Sequence, residues 1–249
     1  MEFNKKLNMV IDVDEVLTCI SPVWIGLLSK DYDYYNKYMM LPENYDINRD
    51  FNKVLLRNNF YLEVAYGKPC LKDGSLSKDE IDNFMKNYFA LYDHDTFYTK
   101  LCRPTKMFHA LKGLIGSCYV NKAHIVSRCF EHNRKGKTEF IEKFLGKELM
   151  KNVELHYLST GEQKSDYIKE LGNIDVIYDD ELKNVIDIMK NVPMNERGTD
   201  IYNPLYGYNL PNPELFELSE SSGYNIQYYE AIKGFNASTY KNFVEFEGM

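Results

Sequence analysis

Short apolar runs that end in polar residues recur along the chain, with helical periods between them. Met9-Val10-Ile11 runs into Asp12 and Asp14. Ala123-His124-Ile125-Val126 reads as a short strand ending at Ser127. Val153 to Leu158 predicts another strand, and Ile174 to Tyr178 a further one that ends at Asp179-Asp180. Helical spacing fills the gaps. Pro104 opens a helix through Leu114. Residues 133–145 carry Phe140, Ile141, Phe144 and Leu145 on one side, and Gln163 to Leu171 and Glu181 to Lys190 follow. Strands alternating with helices of this length predict a parallel sheet covered on both faces. Thr199 to Tyr202 reads as the last strand.

Two stretches break this rhythm. Residues from about 20 to 100 look helical and aromatic. Apolar positions at 81, 84, 85, 88 and 89 define one helix face. Ser77, with Glu80 three residues on, reads as the capping box of that helix. Beyond Pro211 the chain reads as an irregular packed tail with one short helix. The expected organisation is an α/β core from 1–19 and 103–210, a helical insertion over 20–102, and a tail over 211–249 packed on the core.

A length of 249 residues accommodates this division into a core and a smaller unit. Hydrophobic content of 44% and charged content of 27% are those of a globular protein. No run of 18 apolar residues occurs, and Met1 to Asn8 is polar, so neither a membrane span nor a signal peptide is expected. The five cysteines are scattered without a Cys-x-x-Cys pair, as expected of reduced thiols in a cytoplasmic protein, and they suggest no zinc site. His94, His109, His124, His132 and His156 show no metal-ligand spacing along the chain either. A net charge of −7 disfavours extended nucleic acid as a partner, while leaving a small phosphate ester escorted by Mg²⁺ admissible.

The chemistry gathers where the strands end. Charge at the end of a buried strand is unfavourable unless paired or bound to metal, and two like charges two residues apart are worse without a cation. Asp12 and Asp14 therefore point to a magnesium site and a reactive carboxylate. In parallel sheets, ligands bind beyond the carboxyl ends of the strands. Ser127 and Asp179-Asp180 stand at such ends. Lys164 opens a helix fifteen residues before Asp179.

Four pieces, in this order and spacing, resemble the haloacid dehalogenase (HAD) superfamily of aspartate-nucleophile phosphatases. They are Asp12-Val13-Asp14-Glu15-Val16-Leu17-Thr18, Ile125-Val126-Ser127, Lys164-Ser165-Asp166-Tyr167-Ile168 and Val176-Ile177-Tyr178-Asp179-Asp180. The resemblance covers the core, about 7–19 and 103–210. It implies a Rossmann-like three-layer core with a parallel sheet and a helical cap inserted after the first motif. It also implies roles that chemistry supports. Asp12 is the nucleophile that forms an aspartyl-phosphate. Asp14 is the general acid and then the base. Ser127 donates to a phosphoryl oxygen, and Lys164 offsets charge on the phosphoryl group and restrains the nucleophile. Asp12, the backbone carbonyl of Asp14, and Asp179 hold Mg²⁺, with Asp180 orienting a metal-bound water or Lys164.

Within the superfamily the chain leans towards the 5′-nucleotidases and deoxyribonucleotidases. The first motif ends in Val16-Leu17, Ser127-Arg128 is followed by Thr138 in a helix, and Tyr206-Gly207-Tyr208-Asn209 resembles an aromatic-Asn ending. Arg128 becomes a candidate phosphate ligand. Trp24 becomes a candidate base-stacking residue, with Tyr32, Tyr34, Tyr35, Phe60 and Tyr61 nearby. Glu15 departs from the pattern, standing where a small residue, often Gly, is usual. The expected partner is a small phosphorylated substrate; no membrane is expected, and a homo-oligomer is compatible. Phosphatases of sugar phosphates or of nucleic-acid 3′ ends share the same core, and a non-catalytic HAD-like binding module is the remaining alternative.

Overall fold

The computed structural model describes residues 6–20, 97–159, 161–196, 198–205 and 213–230. Most of the expected helical insertion, including Trp24 and the other aromatic candidates, the helix at 81–89 and its capping box, lies outside these residues. So does Tyr206 to Asn209.

The described residues build one six-stranded sheet. Its strands are β1 (Leu7–Ile11), β2 (Val120–Arg128), β3 (Val153–Leu158), β4 (Val176–Tyr178), β5 (Asp200–Leu205) and β6 (Asn225–Glu230). The helices are α1 (Lys106–Gly116), α2 (Glu131–Leu145), α3 (Lys164–Leu171), α4 (Leu182–Asn191) and α5 (Pro213–Ser222). A π-helical turn, Phe97–Leu101, precedes α1. The strand order is β3-β2-β1-β4-β5-β6 and every pairing is parallel. This is a doubly wound, Rossmann-like α/β arrangement, as the alternation of strands and helices predicts.

Side chains alternate across each strand, so the sheet feeds two cores. Met9 and Ile11 pack with Phe108, Leu111 and Ile115 of α1 and Phe140, Ile141 and Leu145 of α2. Val10 and Val126 face the other way, onto Ile168 of α3, Val185 and Ile188 of α4, and Leu215 of α5. With both faces covered, the inner strands can be short and almost wholly apolar.

The sequence places the last strand at Thr199 to Tyr202 and an irregular tail after Pro211. The structure corrects both. Residues 213–230 form α5 and a sixth strand, which pairs with β5 along its whole length. Pro213 occupies the first position of α5, where a missing backbone N–H does no harm. The β6 sequence Asn-Ile-Gln-Tyr-Tyr-Glu carries little apolar signal because an edge strand is only half covered. Ile226 and Tyr228 pack on one core and Tyr229 on the other.

The loop after β1 is fastened where the intervening segment returns. Thr18 bridges to Pro104, and its hydroxyl donates to the carbonyl of Arg103 at 2.9 Å. Thr105 donates to the carbonyl of Val16 at 2.6 Å while accepting from the N–H of Phe108 at 3.2 Å. Thr105 is therefore the N-cap of α1, which starts two residues later than Pro104 suggests.

Candidate active site

The strand order reverses between β1 and β4, and Asp12 meets the Asp179-Asp180 pair there. Asp12 follows β1 and Asp179-Asp180 follow β4. Backbone bonds hold the two strand ends level, with the N–H of Asp12 donating to the carbonyl of Tyr178 at 2.9 Å. Carboxylate oxygens of Asp12, Asp179 and Asp180 lie within 4.8 Å of one another, and all three residues are buried.

Lys164, at the start of α3, is 2% exposed and reaches both sides of this cluster. Its Nζ is 3.0 Å from Asp12 Oδ1 and 2.7 Å from Asp179 Oδ2. Burial works against its charge, but Asp12 and Asp179 outweigh that and raise its pKa. Asp179 is held further by the N–H of Glu181 at 3.0 Å and the side-chain amide of Asn184 at 3.2 Å. Asn203, fully buried on β5, donates to the carbonyls of Asp179 and Asp180 at 2.8 and 3.1 Å. It clamps the turn that presents the pair.

Asp14 turns away from the cluster. Its Oδ1 accepts from the hydroxyl of Tyr98 at 3.0 Å, and its Oδ2 sits 2.7 Å from Lys137 Nζ. Lys137 is 1% exposed. The same Nζ donates to Ser127 Oγ at 2.7 Å and to the carbonyl of Arg128 at 3.3 Å. One buried ammonium thus bridges Asp14 on the first loop and Ser127 at the end of β2. Burial raises the pKa of Asp14; Lys137 pulls it down and Asp12 pushes it up. Asp180 is raised well above the usual carboxylate range, by burial first and then by Asp12, Asp179 and Glu15.

Neither Lys137 nor Tyr98 is anticipated by the sequence reading. Lys137 carried a signal: it lies three and four residues before Phe140 and Ile141, on the buried face of α2, where a cation has no reason to be unless paired. Tyr98 carried none, since it lies 84 residues along the chain from Asp14, at the far end of the expected insertion. It reaches the site because the π-helical turn packs against α2 over Gly136, where a Cβ would lie only 3.4 Å from the Tyr98 ring. Such turns are common at functional sites.

The other expected residues are placed as follows. Arg128 spans the strand ends: its Nε donates to the carbonyl of Glu162 at 3.0 Å and its Nη2 to Gln163 Oε1 at 3.2 Å. A longer ion pair of 3.8 Å joins it to Glu181. These contacts brace β2 against the loops leading into α3 and α4. Glu15 is buried and adopts φ 56°, the left-handed region where glycine is at ease. Its Oε1 accepts from the N–H of Ile20 at 3.1 Å, closing the loop on itself. A glycine would fit that backbone without strain; here a glutamate takes it and ties down the loop.

Among the described residues, the buried carboxylates of Asp12, Asp179 and Asp180 converge on one point beside Lys164. Three converging carboxylates are the hard-oxygen donor set that suits a divalent cation of the magnesium type.

No protein-family model matches the chain, and no curated protein does. Among solved structures it is similar to a haloacid dehalogenase-like hydrolase of Streptococcus pneumoniae, at 12% identity and TM-score 0.49 over 97% of this chain and 98% of that one. A HAD-superfamily hydrolase of Geobacter sulfurreducens matches at 11% identity and TM-score 0.42, over 86% and 96% of the two chains. Bacillus subtilis YfnB, in a magnesium-bound structure, matches at 13% identity and TM-score 0.41, over 88% and 100%. Likenesses this distant leave the chemistry to be read from the site itself. The described core is a Rossmann-like α/β fold that carries, each at or just beyond a strand's carboxyl end, the four motifs by which this chain resembles the HAD superfamily.

Proposed function

We propose that the protein is a HAD-type phosphomonoesterase that works through an aspartyl-phosphate, with a nucleoside monophosphate as substrate. The observation that carries the reading is the pairing of Asp12 with Asp179 through Lys164, at 3.0 and 2.7 Å, where the strand order reverses. Asp12, Asp179 and Asp180 would hold Mg²⁺, which when bound offsets the charge shared by the phosphate and the carboxylates.

In the first step a carboxylate oxygen of Asp12 attacks phosphorus. The new O–P bond forms as the bond to the leaving oxygen breaks, and Asp14 supplies the proton that the leaving oxygen takes. Burial favours the protonated form that this step needs. In the second step Asp14 accepts a proton from water as that water attacks phosphorus and the Asp12–P bond breaks. Ser127 and Lys137 offer donors to the phosphoryl oxygens, and Lys164 keeps Asp12 aligned. The nucleotide assignment is supported by the first-motif ending Val16-Leu17 and by Ser127-Arg128 with its following helix.

Phosphate release from a panel of nucleotides, sugar phosphates and a 3′-phosphorylated oligonucleotide, with and without EDTA, tests this. Mononucleotides are expected to turn over fastest, with activity abolished by EDTA and in Asp12→Asn. Turnover surviving in Asp12→Asn refutes the mechanism, and preference for a sugar phosphate or the oligonucleotide refutes the substrate.

A further inference from the structure

A second cluster of ligand-type side chains lies on the sheet face that carries α3, away from the carboxylates. His124 of β2 and Glu154 and His156 of β3 point to the same side, because residues two apart on a strand share a face and His124 pairs in register with Glu154. Three atoms converge: His124 Nδ1, His156 Nε2 and Glu154 Oε2. Their separations are 3.5 Å between the two nitrogens, 3.3 Å from His124 to Glu154, and 3.6 Å from His156 to Glu154.

These lengths are informative. All three exceed the range of about 2.7–3.2 Å in which N–H···O bonds hold well. They match a different geometry. Ligands about 2.0–2.1 Å from a tetrahedral zinc ion stand about 3.3–3.4 Å apart. The triangle formed by these atoms is, within a few tenths of an ångström, one face of that tetrahedron.

The surroundings orient the ligands as outer partners of metal sites do. The Tyr167 hydroxyl of α3 makes a short hydrogen bond to His156 Nδ1, the ring nitrogen turned away from the centre. Lys122 holds the other carboxylate oxygen, Oε1, at 2.6 Å, so that Oε2 faces the imidazoles. The two imidazoles lie nearly parallel, at 29° with centroids 5.6 Å apart. Glu154 is 43% exposed, which leaves the fourth position open to water.

We infer that His124, Glu154 and His156 form a zinc-type metal site, separate from the magnesium-type carboxylate cluster and independent of the phosphatase reading. Two imidazoles and one carboxylate suit a borderline ion such as Zn²⁺, whereas Mg²⁺ prefers oxygen alone. The ion would tie the sheet's edge strand to β2, three residues before Ser127, and through Tyr167 to α3. The sequence spacing does not show this site because one ligand comes from a different strand, thirty residues away from its nearest partner in the chain.

The test uses the full chain, stripped of metal and kept in saturating Mg²⁺ to occupy the carboxylate cluster. Zn²⁺ is titrated in competition with a chromophoric chelator, and Co²⁺ is added separately to read ligand geometry. One Zn²⁺ per chain is expected, with the intense visible absorption of tetrahedral Co²⁺, both retained in Asp180→Asn. Zinc affinity should fall at least about tenfold in His124→Gln and Glu154→Gln and by about tenfold in Tyr167→Phe. Glu154 is substantially exposed, so its variant is expected to fold, and a thermal melt without zinc checks this. The inference is overturned by wild-type protein that takes up no zinc under these conditions, or by unchanged affinity in a folded Glu154→Gln.

Discussion

Replacing Lys137 with methionine isolates the feature that separates this site most clearly from its sequence-level description. The substitution keeps the unbranched side chain, one heavy atom shorter, and removes its charge. The ammonium it removes is 1% exposed and lies 2.7 Å from both Asp14 Oδ2 and Ser127 Oγ. Taking one partner from a buried ion pair costs about 3–5 kcal/mol, chiefly because the remaining charge is stranded. Asp14 retains the Tyr98 hydroxyl and is 20% exposed, which favours the lower end of that range. A loss of about 3 kcal/mol corresponds to a fall in Tm of about 6–12 °C for a domain of this size. Turnover should drop about a hundredfold, as when one preorganised donor to a reacting group is removed. Thermal melts and phosphate release measure the two effects. Combining Lys137→Met with Asp14→Asn then closes a double-mutant cycle, for which a coupling of about 1–3 kcal/mol is expected. A Tm within experimental error of wild type, or strictly additive single effects, would refute the idea that Lys137 and Asp14 act as a pair.

Three further outcomes follow from the same geometry. Mg²⁺ at about a hundred times its Kd should stabilise the protein by about 2.7 kcal/mol, and this gain should vanish in Asp179→Asn; melts with Mg²⁺ and with EDTA check it. At position 15, with φ 56°, the Glu15→Gly variant should melt above Glu15→Ala by an amount equivalent to about 1–2 kcal/mol, because both lose the bond to Ile20 but only alanine keeps the left-handed strain; equal Tm values would contradict this. Buried Tyr224 donates to the carbonyl of Val192 at 2.8 Å, and burial pushes its hydroxyl up to about 12. Unfolded tyrosine loses its proton near pH 10 and the folded one near pH 12, so its contribution is intact below pH 10 and is lost as pH rises through that window. Urea unfolding at pH 9 and pH 11 should show a smaller loss in Tyr224→Phe than in wild type; an equal loss would rule out this residue as a source.

Much of this protein is legible without coordinates, and what is legible is local. Met9-Val10-Ile11 and Ile174 to Tyr178 announce strands because runs this apolar need cover on both faces, and Val153 to Leu158 does so by alternating apolar and polar positions. Asp12, Asp14, Ser127 and Asp179-Asp180 stand out because they interrupt those runs at their carboxyl ends. The amphipathic periods of α2, α3 and α4 follow for the same reason, and so does a parallel sheet. The sixth strand escapes this logic, since a half-covered edge leaves Asn225 to Glu230 too polar to announce itself.

Pairings between distant positions were decided only by the tertiary structure. Sequence spacing places Lys164 near Asp179, but it cannot show that Lys137 would cross to Asp14, or that Tyr98 would arrive there from 84 residues along the chain. Nor can it show that His124 would line up in register beside Glu154 and His156. Periodicity records which way a side chain faces. What it meets there depends on strand order and register, which are set by the packing of the whole sheet.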